Sequence, residues 1–227
     1  LPVLILLVVL FGLMAGSPAA TAADVAPDAP MDARLEDRVL GNPNAPVTID
    51  EYSSLTCPHC AEFHRHVLPQ IKNAYIDTGE VKLIYRDFPL EGRALAAAMI
   101  ARCVKPSRYY GFIDTLYFEQ EAWAARSDPL LVLKRWANVA GLSDKEVDAC
   151  LNDQALADAI QARRAAAAKE HGIDSTPTFF VDGQLIRGAA PYADFAAAID
   201  AALGRDTTPD KTEAPSPAGE APATAGR

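Results

Sequence analysis

The run Cys57-Pro58-His59-Cys60 sits where the hydrophobic period of the chain changes, and that junction restricts the possible folds more than any other feature. Before it, Val47-Thr48-Ile49-Asp50-Glu51-Tyr52 alternates with period two, as a half-buried strand does. After it, a helix is expected from Cys57 to about Tyr75, kinked at Pro69. Pro58 suits the first turn of that helix, where its missing N–H is not needed. Val81 to Phe88 is apolar and β-branched enough for a second strand, which completes a strand–helix–strand unit.

Four helical stretches follow: Arg93–Val104, Ser107–Gln120, Pro129–Ala140 and Lys145–His171, the last broken near Asn152. Gly141 reads as a stop, Ser143 with Glu146 as a capping box, and Gly172 as a C-terminal cap. Thr178–Val181 and Gln184–Arg187 flank Asp182-Gly183, a hairpin signal, and Tyr192–Leu203 reads as a closing amphipathic helix. Without the middle helices, a βαβ half and a ββα half remain. The expected class is therefore α/β: a thioredoxin fold with a helical insertion at about 93–171 between its halves.

The ends differ from this domain, which spans 35–203. Leu1 to Met14 is almost unbroken apolar sequence, followed by small residues around Ala20-Thr21-Ala22, so 1–22 is read as a signal peptide. It is short for a membrane span, which needs about 20 residues; an uncleaved anchor is the alternative. Residues 23–34 form a Pro/Ala/Asp linker and 204–227 a Pro/Ala/Thr/Glu tail, both expected to be disordered. The net charge of -9 argues against nucleic acid as a partner, since phosphate binding needs clustered Lys and Arg.

Cys57 and Cys60 lie three residues apart at a helix start, so their sulfurs can meet. The first N–H groups of a helix lack internal acceptors and favour negative charge, which stabilises a Cys57 thiolate. His59 adds a neighbouring positive charge or a donor. A stabilised thiolate favours the reduced pair and makes its disulfide oxidising, by about 30 mV per pKa unit. Structural zinc and inert pairing are the other readings of a lone C-x-x-C. His64 and His66 are read as solvated helix residues, and no metal site is expected. His171 is read as a charge partner of a helix end, and Trp123 and Trp136 as anchors. Tyr109, Tyr110, Phe112, Leu116 and Tyr117 are read as the core of the insertion. Cys103 and Cys150 are expected to form a second, structural disulfide in an exported chain; two separate buried thiols are the alternative.

The segment Glu51-Tyr52-Ser53-Ser54-Leu55-Thr56-Cys57-Pro58-His59-Cys60 resembles the active-site segment of the DsbA family of bacterial periplasmic disulfide oxidoreductases. Gly41–Pro46, Tyr85-Arg86-Asp87-Phe88-Pro89-Leu90 and Ser175-Thr176-Pro177-Thr178-Phe179-Phe180 match in the same order, so the resemblance covers about 35–203. It implies that Pro177 is a cis-proline facing the redox pair, with Thr176 beside the sulfurs to receive an extended substrate. Without it, Pro177 is only a proline opening an edge strand. It also implies that Glu51 lies beneath the site and relays a proton to or from Cys60; a solvated strand-end carboxylate is the alternative.

The implied function is a periplasmic disulfide oxidase that gives its Cys57–Cys60 disulfide to reduced or unfolded exported proteins. It would need no cofactor and would be recycled by a membrane oxidant resembling DsbB. No dimerisation segment is evident between Asp32 and Gly41, which favours a monomer. The match at 85–90 points to a broader branch, so an isomerase or reductase of the same fold is the first rival. A metal- or peptide-binding module is the second.

Overall fold

Alternation along β2 (Val47–Ser53) buries Val47, Ile49, Glu51 and Ser53 and leaves the residues between them half-buried. A carboxylate thus occupies an inward position of a central strand. The computed structural model describes residues 32–205. The signal peptide, most of the linker and most of the tail read from the sequence lie outside them.

The sheet has five strands in the order β1-β3-β2-β4-β5. They are β1 (Val39–Gly41), β2, β3 (Val81–Asp87), β4 (Thr178–Val181) and β5 (Gln184–Arg187). β2 and β3 pair in parallel, and every other pairing is antiparallel. Between β2 and β3 a helical rod covers 58–76, and the insertion supplies α3 (Gly92–Cys103) to α8 (Gln154–His171) before the hairpin and α9 (Tyr192–Ala202). This is the thioredoxin layout with a helical insertion.

The rod is not a uniform helix. Short α-helical pieces, α1 (Pro58–Glu62) and α2 (Leu68–Ile71), alternate with π turns at Phe63–Val67 and Lys72–Ile76. Leu68 N–H reaches back five residues to Phe63 C=O, and Asp77 N–H to Lys72 C=O. The first wide turn explains how Pro69 is held. Proline lacks an N–H and crowds the carbonyl four residues back. A widened turn just ahead of it relieves both problems, so the rod carries a bulge where a kink was expected.

One cluster packs Val47, Ile49, Phe63, Ile71, Leu83, Phe179 and Phe195 between sheet, rod and α9. A second joins Leu55, Cys60 and Tyr85 to Ile100, Tyr109, Phe112, Leu116, Tyr117, Trp123 and Leu133 of the insertion. Each fully buried large apolar side chain stabilises the fold by roughly 1.5–3 kcal/mol before entropy is counted. Trp123 donates to Leu116 C=O at 2.8 Å and is wholly buried, whereas Trp136 packs at the edge of that core. His171, in the last turn of α8, rests against Tyr52 and Phe180.

The insertion is tied down twice. Arg102 on α3 pairs with Asp87 at 2.6 Å, both buried, and donates to Glu36 C=O at 3.0 Å. Cys103 and Cys150 are bonded, with Cα atoms 6.5 Å apart, joining the end of α3 to α7 (Asp144–Leu151).

The structure differs from the sequence reading at several edges. Asp32 to Arg34, assigned to the linker, are folded. Asp32 caps a 3-10 turn at Ala33–Leu35, and Arg34 pairs with Asp153 at 2.7 Å. Arg205, assigned to the tail, pairs with Asp200 and Glu80. In both places charges hold a segment whose composition alone suggested disorder. β1 has three residues, too few to display an alternation. Its Gly41 has φ +99°, and a Cβ there would meet Ile76 at 2.7 Å, so only glycine fits. Among the described residues no helix is long and apolar enough to cross a membrane.

Candidate active site

Beyond β2 the chain turns at Ser54–Thr56, and Cys57 takes an extended conformation as the N-cap of α1, with Pro58 in the first turn. Gln120, buried on α5 (Gln120–Ala124), donates through Nε2 to Leu55 C=O at 2.8 Å and to Cys57 C=O at 3.0 Å. The insertion thus holds the loop that presents the dithiol. The sequence reading ended its helix at Gln120 and assigned that residue no role; an isolated glutamine carries no signal for such a contact.

The Thr176–Pro177 peptide is cis, at the entrance to β4. The Cys57 thiol donates to Thr176 C=O at 3.3 Å, so residues 119 apart in sequence meet at the sulfur. The Thr176 hydroxyl is buried without a partner, and a thiolate at Cys57 would give it one. Pro58 and His59 are exposed beside the pair. Thr56, Pro58, Glu91, Arg93, Gln120 and Glu121 line an adjoining hollow of about 610 Å³.

The two sulfurs have opposite acidities. Cys57 falls from an ordinary 9.0 to about 5. The largest cause is the hydrogen bond it receives from the Cys60 thiol. Burial opposes this, and the Thr176 side chain and the N–H groups of Cys60 and His59 reinforce it. The helix start expected to stabilise the thiolate therefore acts through its backbone N–H groups. Cys60 lies well above 9.0, first because burial penalises its charged form and then because Cys57 is beside it. Cys57 retains 7% exposure and Cys60 none.

Beneath the pair, Glu51 is fully buried, not solvated. Its Oε1 accepts from Ser53 Oγ at 2.5 Å and from His64 Nε2 at 2.9 Å, while its Oε2 is buried without a partner. His64 corrects the sequence reading, which made it a solvated residue; it is 2% exposed. It stacks on Tyr117 at 4.1 Å and donates from Nδ1 to Asp114 at 3.2 Å. Burial pulls its pKa down most strongly, but Glu51 and Asp114 outweigh that and raise it to about 9. The two carboxylates compensate a buried imidazolium. The signal was in the spacing: Cys57, Cys60 and His64 stand at i, i+3 and i+7, one stripe of a helix. His66 is exposed, 3.5 Å from Glu62. Among the described residues no three His, Cys, Asp or Glu side chains are grouped to hold a metal.

These features define a thioredoxin-like protein built around a dithiol at a helix start, faced by a cis-proline. Residues 34–201 match the family described as Thioredoxin, and the chain belongs to it, in its DsbA group. Alpha-DsbA1 of Wolbachia pipientis superposes with a TM-score of 0.68 at 36% identity, over 75% of this chain and 92% of that one. A protein-disulfide isomerase of Novosphingobium aromaticivorans gives 0.64 at 26% identity, over 74% and 98%. A Rickettsia conorii protein named for protein-disulfide oxidoreductase activity is 32% identical over 178 residues, 78% of this chain. The chain spans 55% to 64% of the length of the Rickettsia relatives it matches.

Proposed function

We propose that the protein is an exported thiol–disulfide oxidoreductase that works as an oxidase on reduced or unfolded proteins in the periplasm. The observation that carries this reading is the geometry of the pair: Cys57 caps the helix start 3.3 Å from Thr176 C=O and keeps some exposure, while Cys60 is wholly buried behind it. The acidities follow from that placement, with Cys57 lowered to about 5 and Cys60 raised. A substrate thiolate attacks Cys57 Sγ; the bond to Cys60 breaks, and Cys60 leaves with the electron pair and takes up a proton. The substrate's second thiolate attacks its own sulfur in the mixed disulfide and expels Cys57, which leaves readily because its thiolate is stabilised. Two electrons pass from substrate to enzyme, and the reduced pair passes them to a membrane oxidant of the DsbB kind. Thr176 and Pro177 seat the substrate as an extended segment, and Glu51 serves the proton of Cys60. His59 tunes the potential from beside the thiolate. The Cys103–Cys150 bond is structural, and the enzyme acts as a monomer. The apolar run at 1–14 directs export.

The isomerase reading is favoured by the same lowered acidity of Cys57, since a thiolate present at neutral pH also attacks misplaced disulfides. The test is the potential of the Cys57–Cys60 pair against glutathione, with turnover of a reduced, unfolded substrate and of a scrambled one. Cys57→Ser is expected to abolish oxidation and Cys60→Ala to accumulate mixed disulfides. An apolar residue at His59 should make the pair less oxidising. Retention of the oxidase rate by Cys57→Ser would refute the mechanism. Faster turnover of the scrambled substrate than of the reduced one would favour the isomerase.

A further inference from the structure

Cys60 is the leaving sulfur in that mechanism, and it is fully buried. A bare thiolate there is costly, so its departure calls for a proton from inside the protein. Bulk water does not reach it. A row of side chains does. The Ser53 hydroxyl lies close enough to the Cys60 sulfur to favour its charged form, and it donates to Glu51 Oε1 at 2.5 Å. The same oxygen accepts from His64 Nε2 at 2.9 Å, and His64 Nδ1 meets Asp114 at 3.2 Å. Ser53, Glu51 and His64 are at most 2% exposed, whereas the Asp114 side chain is 46% exposed. The joints Ser53–Glu51, Glu51–His64 and His64–Asp114 are all within hydrogen-bonding distance, and β2, the rod and α4 (Tyr109–Phe118) all contribute.

We propose that His64 stores the proton that Cys60 gains and loses as the dithiol cycles, with Asp114 as the positioning residue that keeps the store filled. The inference rests on the exchange reading above. When the disulfide opens, the Ser53 proton moves to the Cys60 sulfur. Glu51 passes the Nε2 proton of His64 to Ser53, and His64 becomes neutral, still donating from Nδ1 to Asp114. When Cys60 attacks a mixed disulfide in the return half of the cycle, its proton retraces the row to His64 Nε2. One proton is moved each way and no other reactant is needed.

The groups facing His64 fit this role. Glu51 faces it from β2, Asp114 and Tyr117 from α4, Tyr85 from β3, and Cys60 lies one turn back on the rod. Arg65, the adjacent cation, is engaged elsewhere: it donates to Tyr117 C=O at 2.8 Å and lies 3.8 Å from Glu62. The charge of His64 is therefore set by two carboxylates, one of them at the surface. Its acidity of about 9 keeps the store filled at neutral pH, and Cys60 lies above it, so the transfer runs downhill.

The test is the second-order rate of reduction of the oxidised protein by glutathione, per glutathione thiolate, from pH 6 to 10. The wild type should hold a plateau at neutral pH and fall through about pH 9 as the store empties. Asp114→Asn removes one carboxylate at an exposed position and should move the fall at least about one unit lower. His64→Gln should abolish the fall and lower the plateau about tenfold, short of the ~100-fold low end for placed acids because thiolate departure precedes full proton transfer. Profiles of wild type and Asp114→Asn that superimpose would overturn the store, as would a His64→Gln plateau at the wild-type level. A wild type inert to glutathione would instead refute the exchange reading itself.

Discussion

Replacing Cys57 by serine in the reduced protein should remove a stabilisation that depends on pH. Cys57 ionises at about 5 in the fold against an ordinary 9.0. A depressed acid stabilises the fold fully above its unfolded pKa and loses that stabilisation as pH falls through its folded one. The window is therefore about pH 9 down to pH 5. The slope inside it is one proton, about 1.4 kcal/mol per pH unit. At pH 7 two of the four units are realised, so the thiolate contributes on the order of 3 kcal/mol. The same quantity biases the pair toward its reduced form by about 60 mV. Urea unfolding of wild type and Cys57→Ser at pH 5, 6, 7 and 8, both under excess reductant, isolates the effect. Whatever else the serine changes is an offset independent of pH. The stability difference should grow steadily in favour of wild type from pH 5 to 8. A difference that stays flat, or shrinks with rising pH, would refute the assignment of the low acidity to Cys57.

Two further outcomes follow from the same geometry. Thr176→Val removes the buried hydroxyl that a Cys57 thiolate would recruit. It should raise the Cys57 pKa by about one unit, the size of one hydrogen bond to a charged group, as read by thiolate absorbance. Replacing both Cys103 and Cys150 by alanine opens a loop with a sequence separation of 47. It should cost about 4 kcal/mol by the chain-entropy estimate, read by urea unfolding, and leave the Cys57 pKa unchanged.

Most of the scaffold was legible in the residues because period two and helical spacing report burial directly. β2 and β3 are marked by their own runs of alternating or β-branched residues, and the β4–β5 hairpin and the capping box at Ser143 depend on neighbours close in sequence. The dithiol was legible for the same reason. Illegible from periodicity were the features made by distant segments. Gln120 reaches a loop 63 residues earlier, and Asp114 reaches a histidine 50 residues away. His64 was misread because histidine is intermediate in burial and its type alone decides nothing, whereas the two carboxylates that hold it inside come from distant segments. Glu51 stood among the inward positions of its strand, but its burial is tolerated only because His64 and Ser53 are there to meet it.

The wide turns of the rod also bear on length variation. A π turn is an α-helix holding one residue more than its path requires, so Phe63–Val67 lets Pro58–Glu62 and Leu68–Ile71 keep one helical path across an extra residue. Deleting one residue there would restore regular α-helical bonding and lengthen no loop, and Cys60 and Ile71 would keep their packing. What returns is the crowding of Pro69 against the carbonyl four residues back, which the wide turn relieves. A single-codon deletion inside the wide turn should therefore be less damaging than one inside Pro58–Glu62, where the same loss would swing the dithiol by about 100° against the rest of the rod.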